Sequence, residues 1–320
     1  MPEWLVERGI GETRAALVED GEIVEARIEL DGAVPAGSVV VARLIRAATR
    51  NAVALDETGT EYLLPKGAAG TTEGAPVSIE VTREAIPGSE PWKRPLGRVT
   101  DKVPAVQPSL AERLGARGVV FPAARDELAQ AGWNDLVEQA RTGVVQFAGG
   151  ELRISPTPAM TLIDVDGYLA PEELATLGAA EAAKAVCRLD IGGSIGIDLP
   201  TAGGKTSRQR AAEAIDTALP LPFERTAVNG FGFVQIVRPR GRPSLVELAE
   251  DRANFEARAL LRRTALEGAG PRRLVGHPDV VAVLESRPDW LEGLSRQIGG
   301  TVSLRSDVKL PISAGYAENA

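Results

Sequence analysis

The chain has 320 residues, 44% of them hydrophobic, and a formal net charge of −8; that length buries more than one core, so roughly two to four modules are expected. No apolar run approaches about 18 residues and no basic-then-apolar leader opens the sequence, which predicts neither a membrane span nor a signal peptide and a cytoplasmic location. Cys187 is the only cysteine and His277 the only histidine, excluding an intrachain disulfide, a cysteine-based zinc site within one chain, and any triad or metal cluster built on histidine.

Residues 1–33 read as a β-hairpin, two alternating strands about an Asp20-Gly21 turn. Residues 34–97 read as an all-β module: VVVARLIRA, AVALDET, EYLLP and PVSIEVTREA are strand-like runs separated by Gly, Asn and Thr turns. Short strands at this spacing fit an OB-type barrel. Such barrels grip single-stranded nucleic acid with exposed aromatics; the candidates are Tyr62, and Trp92 beside Lys93 in a Pro/Gly-rich loop. Residues 98–155 read as helix, short strand, helix and hairpin, completing the opening hairpin into a small α/β subdomain.

TLIDVDG at 161–167 is an aliphatic run that ends in acid. Strand alternation puts Leu162, Asp164 and Asp166 on one face and Ile163 and Val165 on the other. GGSIGIDLP at 192–200 repeats the pattern, with Asp198 turned from the face of Ile195 and Ile197. Residues 171–190 between them predict an alanine-rich helix. Pro171 starts it, Glu172 and Glu173 fill the first turn, Lys184 and Arg188 lie toward its end, and Gly192 and Gly193 stop it. Cys187 inside it reads as a small buried filler. Strand, helix, strand makes the aspartate strands parallel neighbours.

Either aspartate alone is as well explained as a cap or turn former. As a pair at one sheet edge they repel unless a cation lies between them. Oxygen ligands without His or Cys suit Mg²⁺, or Mn²⁺ in its place. Asp164 and Asp198 are therefore the candidate metal ligands, and Asp166 is a third catalytic candidate, as a ligand or through water.

AGGKTS at 202–207 looks like part of a nucleotide loop, but that loop needs a glycine where Leu199 stands. Between residues 205 and 273, thirteen Lys or Arg stand against eight Asp or Glu. The overall acidity thus hides a local basic excess of the kind phosphate binding needs. Lys205 and Arg208 are candidate phosphate contacts. Arg238, Arg240 and Arg242 alternate along the strand predicted to leave the aspartate sheet, and such a row repels itself unless it meets phosphate. Arg258, Arg262 and Arg263 share one side of a helix and read equally as a solvated face. His277, before Pro278, reads as a surface or capping residue, and the remaining chain as strand, helix, helix, strand, strand.

AMTLIDVDG, LGAAEAAKAVCRLDIGGSIGIDLP and NGFGFVQIVRPRGRPSL, in that order, resemble the catalytic core of the ribonuclease E/G family, with its IDxN strand, NxEAAxEIARQLRLRxLGGxIxIDF helix-strand and RFGLxExSRxR…PSL strand. The opening EWLVERGIGETRAALVEDGEIVEARIE resembles that family's first hairpin. The resemblance covers most of the chain and rests on the order of several motifs. It implies an α/β (α+β) multidomain chain: an RNase H-like subdomain split between 1–33 and 98–155, an OB-type RNA-binding insertion at 34–97, a DNase I-like catalytic subdomain at 156–245, and a small C-terminal α/β domain at 246–320.

The function it implies is a Mg²⁺-dependent endoribonuclease of RNA processing or decay. Such an enzyme cuts single-stranded RNA to 5′-phosphate and 3′-hydroxyl ends, here with Lys205, Arg208, Arg238, Arg240, Arg242, Tyr62 and Lys93 as RNA contacts. The chain departs from the family in four places. Asp166 stands for Asn, and Asn229-Gly230 for an Arg. Only Arg141-Thr142, at a helix end, resembles the pair that senses a 5′ monophosphate. The CPxCxG hairpin after PSL is missing, so no zinc is expected and a homo-oligomer would form without a shared zinc site. These departures leave a second expectation, a catalytically weakened relative that binds RNA or a protein without cutting.

Overall fold

The computed structural model describes residues 1–320 except 89, 124 and 202. The first strands are β1 (Glu3–Arg8), β2 (Glu12–Glu19) and β3 (Glu22–Leu30). Asp20 and Gly21 between the last two both take positive φ, 51° and 89°, as the tight turn requires. Next come β4 (Val39–Arg46), β5 (Ala52–Asp56), β6 (Glu61–Leu64), β7 (Pro76–Arg83) and β8 (Leu96–Val99), then α1 (Leu110–Leu114), β9 (Arg117–Gly118), α2 (Glu127–Gln130) and α3 (Trp133–Thr142). The middle of the chain supplies β10 (Val144–Phe147), β11 (Gly150–Pro156), β12 (Thr161–Gly167), α4 (Pro171–Arg188), β13 (Gly193–Asp198), α5 (Lys205–Ala218), β14 (Glu224–Arg225) and β15 (Phe233–Arg238). The rest is α6 (Leu245–Glu250), α7 (Arg252–Leu266), β16 (Arg272–Gly276), α8 (Pro278–Glu285), α9 (Pro288–Ile298), β17 (Val302–Ser306) and β18 (Tyr316–Asn319).

The chain is a mixed α/β protein. Among the described residues its strands form sheets of order β3-β2-β1-β9, β10-β11-β12-β13-β15-β14 and β17-β16-β18, and a closed barrel β4-β5-β6-β8-β7. It divides into two compact units: Met1–Asp31 with Leu110–Val137 and Leu248–Ala320, and Gly32–Ser109 with Glu138–Glu247.

In the first unit, α7, α8 and α9 pack Leu261, Leu284 and Leu294 around Leu274 of β16. His277 caps α8, its Nδ1 accepting from the Asp279 N–H at 3.2 Å. The arginines of α7 do not form a solvated face. Arg258 and Arg262 are only 4% and 6% exposed. Arg258 Nε donates to Glu12 at 2.7 Å, and Arg262 to Glu7 at 2.9 and 2.7 Å and to Asp126 at 2.8 Å. Arg14 links Glu7 and Glu12, each at 2.7 Å. Burial alone would raise the Glu12 carboxyl, but the Arg14 and Arg258 guanidinium groups outweigh it and hold the pKa below its ordinary value. A helical period shows which charges share a side. It does not show whether that side finds buried acids.

In the second unit the barrel interior is Leu44, Ala54, Tyr62, Leu64, Ile79 and Val81. Its closing strand is β8, so the barrel runs past residue 97, and the Ala105 backbone also pairs with Val39. The expected subdomain at 98–155 is divided differently. Residues 110–137 belong to the compact unit of the opening strands, whereas β11 pairs with β12 along its whole length, Gly150↔Gly167 to Pro156↔Thr161. The hairpin therefore joins the aspartate sheet, where β12 pairs with all seven residues of β11.

Helix α4 also ends earlier than expected. Asp190, not Gly192 or Gly193, takes the left-handed conformation that stops it, with φ 52°. The Ile191 N–H closes the turn on the Val186 carbonyl at 2.9 Å.

Candidate active site

Strand β12 buries Thr161, Ile163 and Val165 and exposes Leu162, Asp164 and Asp166. Strand β13 buries Ile195 and Ile197 and exposes Asp198. Helix α4 covers the buried face of β12. Its close approach depends on Gly178, where an added Cβ would stand 2.3 Å from Val165 Cγ1.

β12 and β13 run parallel, and their register makes Asp164 and Asp198 partners one rung beyond Ile163 and Ile197. Partners on neighbouring strands lie about 4.8 Å apart and face the same way, so the two carboxylates stand side by side. Neither is hydrogen-bonded to a described residue. Asp166 Oδ1 accepts from the Gly167 N–H at 2.9 Å. The donor set is hard oxygen on an exposed face and fits a divalent ion that keeps several waters. Among the described residues no three carboxylates converge, so Asp166 stands beside the pair without completing a three-acid cage.

Arg153 was missed by the sequence reading. It stands opposite Asp164 on β11 and bonds Glu151 at 2.7 Å. That hydrogen bond and the Glu151 charge raise the guanidinium pKa, with further contributions from Asp166 and Asp164. Its exposure between buried Leu152 and Ile154 follows from the alternation of GELRISP. The strand it would face does not.

No family model and no curated protein matches this chain. The edge must be read from its own chemistry.

Helix α5 begins at Lys205 behind Gly204, with no side-chain cap and no acid in its first turn. Lys205 is exposed and Arg208 half-buried, and neither pairs with an acid among the described residues. Cations at a helix N-terminus oppose its dipole, so an anion there relieves both. Ala202, the first residue of the AGGKTS stretch, lies outside the described residues.

The other expected contacts sit differently. Arg238, Arg240 and Arg242 share no strand face. β15 ends at Arg238, because Pro239 has no N–H to continue the ladder. Arg238 donates to the Val186 and Ile191 carbonyls at 3.4 and 3.2 Å. Arg240 pairs with Glu247, and Arg242 with Asp190 at 3.4 Å. Tyr62 is fully buried in the barrel, its hydroxyl donating to Asp56 at 2.9 Å. That bond and burial push the phenol pKa up, burial most. Lys93 pairs with Glu90 at 3.4 Å. Arg141 pairs with Glu138, and the Thr142 hydroxyl donates to the Glu138 carbonyl at 2.8 Å, both at the end of α3. No described helix is long and apolar enough to cross a membrane.

Proposed function

We propose that the protein is a divalent-metal-dependent endoribonuclease of the ribonuclease E/G type. It cuts single-stranded RNA to 5′-phosphate and 3′-hydroxyl products in cytoplasmic RNA processing or decay. The observation that carries this reading is the Asp164–Asp198 rung, two carboxylates on adjacent parallel strands with no hydrogen bond to a described residue.

Asp164 and Asp198 are the residues that would hold Mg²⁺, or Mn²⁺ in its place, with Asp166 beside them. Such an ion, when bound, supplies an acidified water and neutralises charge on the phosphate under attack. The chain's own part is positioning. β12 and β13 fix the carboxylates, Arg153 places a cation next to Asp164, and Lys205 and Arg208 reach toward backbone phosphates flanking the cut. Tyr62 has no part in it. The barrel order β4-β5-β6-β8-β7 supports an OB-type module, with RNase H-like, DNase I-like and small C-terminal α/β parts proposed around it by the same resemblance.

A second reading, a weakened relative that binds RNA or a protein without cutting, draws on Asn229. Its side chain accepts from the Phe231 and Phe233 N–H groups at 2.9 and 3.1 Å, so no cationic side chain stands where the family places its arginine.

Cleavage of a fluorescent single-stranded RNA with Mg²⁺ tests both readings. Asp198→Asn should slow it about a hundred- to a thousandfold, the scale of removing one preorganised electrostatic contact. Equal rates for the variant and the wild type would sink the site. RNA binding without any cleavage would establish the second reading.

A further inference from the structure

Two aromatic rings stand almost bare at the edge that carries Asp164 and Asp198. Tyr168 is 85% exposed and Phe231 82%, the most exposed aromatic side chains among the described residues; Trp92 and Tyr316 follow at 55% and 41%. Rings in water forgo the burial that ordinarily stabilises them. Two at one sheet edge call for a ligand with a flat apolar face.

Phe231 does not reach water through slackness. Besides the two bonds to Asn229 Oδ1, the Asn229 N–H donates to the Phe233 carbonyl at 3.0 Å and the Gly232 N–H to the Asn229 carbonyl at 3.2 Å. The Thr201 hydroxyl donates to the Phe231 carbonyl at 3.3 Å. Gly232 takes φ +93°, and a Cβ there would lie 2.2 Å from the Leu199 carbonyl oxygen. The turn is fitted to the end of β13 and holds the ring outward.

Register fixes where the rings stand. Asp198 and Phe233 are partners, and the Leu199 N–H donates to the Gly232 carbonyl at 3.3 Å. Phe231 therefore lies in the turn of residues 229–232, just beyond the carboxylate rung. Tyr168 directly follows β12. Across the sheet the strands run β12, β13, β15, and β12 and β13 are parallel, so Tyr168, four residues or about 13 Å of strand past Asp164, and Phe231 both lie beyond the rung, toward the C-terminal ends of β12 and β13. The outer two of these strands are about 10 Å apart.

We infer that Phe231 and Tyr168 are base-stacking residues that take unpaired nucleobases of an RNA strand beside the phosphate at the Asp164–Asp198 rung. This rests on the nucleic-acid reading above and adds to it where single strands are recognised. A single strand offers a π-face at every nucleotide, whereas a duplex hides those faces in its own stack. The barrel strands cannot supply that selectivity, since Tyr62, their one aromatic, is buried.

The test is anisotropy of a fluorescein-labelled oligouridine and of an abasic ribose-phosphate chain of equal length, both in EDTA so that no cleavage intervenes. Phe231→Ala and Tyr168→Ala should each weaken oligouridine binding about five- to a hundredfold and leave the abasic chain unchanged. Phe231→Trp should restore binding. Side chains this exposed contribute no packing, so circular dichroism should be unaltered in all three variants. Wild-type affinity kept by both alanine variants overturns the inference and leaves the nuclease reading standing; the rings would then serve a protein partner. Equal loss on the abasic chain overturns it as well, since stacking would not be the cause. No binding of either chain by the wild type overturns the stacking inference, while the Mg²⁺ cleavage assay above decides the nuclease reading separately.

Discussion

Gly178 shows how one missing side chain sets the backing of the aspartate strand. Alanine is the better helix former by about 1 kcal/mol, so propensity alone predicts that Gly178→Ala stabilises the protein. The new methyl would meet Val165 Cγ1 at 2.3 Å. Val165 cannot swing away, because its β-branched side chain is stiff at χ1, and overpacking costs about 1–3 kcal/mol. The steric effect wins. Gly178→Ala should lose up to about 2 kcal/mol, read as a lower urea midpoint at unchanged slope. Adding Val165→Ala should recover part of that loss, as neighbours that share one space couple non-additively. A raised midpoint for the single variant would mean that α4 does not seat on β12 at this position.

At the scale of elements, helix α7 meets strands β1 and β2 through buried charge. Glu12 and Asp126 both titrate below their ordinary values in the folded protein, the arginines outweighing burial in each case. The unfolded chain therefore takes up protons first as pH falls, near about 4. The stabilisation is fully present above that range and is lost as pH descends through the lower folded values. Glu12→Gln leaves Arg14 and Arg258 buried with one carboxylate fewer, a loss of about 3–5 kcal/mol at neutral pH. Thermal unfolding at pH 7 and pH 3.5 should show the gap between wild type and Glu12→Gln shrinking in acid. A gap of constant size would place the acid sensitivity elsewhere.

Elements were legible in the sequence where local pattern and short-range topology decide them. The alternation of TLIDVDG, the alanine-rich helix and the single crossover placed Asp164 beside Asp198 without any long-range information. The same holds for the β16, α8, α9, β17, β18 succession. What depends on distant pairing was not legible. β11 could have joined either sheet, and only its register with β12 brings Arg153 to Asp164. The burial of Arg258 and Arg262 depends on acids some 250 positions away, 246 residues for Glu12 and 255 for Glu7. Two misreadings were avoidable from local chemistry. Pro239 ends the supposed arginine ladder, and the alternation of EYLL turns Tyr62 inward.

For the molecule as a whole, the proposed polyanionic substrate has to be reconciled with a net charge of −8. The cations of the second unit are largely committed to its own acids and carbonyls: Arg238 to carbonyls, Arg240 to Glu247, Arg242 to Asp190. Helix α5 gathers three that are not, since Lys205, Arg208 and Arg210 pair with no acid among the described residues; Arg50 and Lys66 elsewhere in the unit are likewise unpaired. Each phosphate neutralised on a single strand contributes about −0.7 to the slope of log K against log salt. The three cations of α5 alone predict a slope near −2, shallow for a nucleic-acid-binding protein. The affinity that persists at high salt must then come from uncharged contacts such as the two exposed rings. Replacing Lys205 and Arg208 together by glutamine should flatten the slope by about 1.4, while Phe231→Ala should lower affinity at every salt concentration without changing it. Oligouridine titrations between about 50 and 200 mM salt measure both quantities. A steep wild-type slope would show that the arginines beyond β15 release their internal partners to bind RNA.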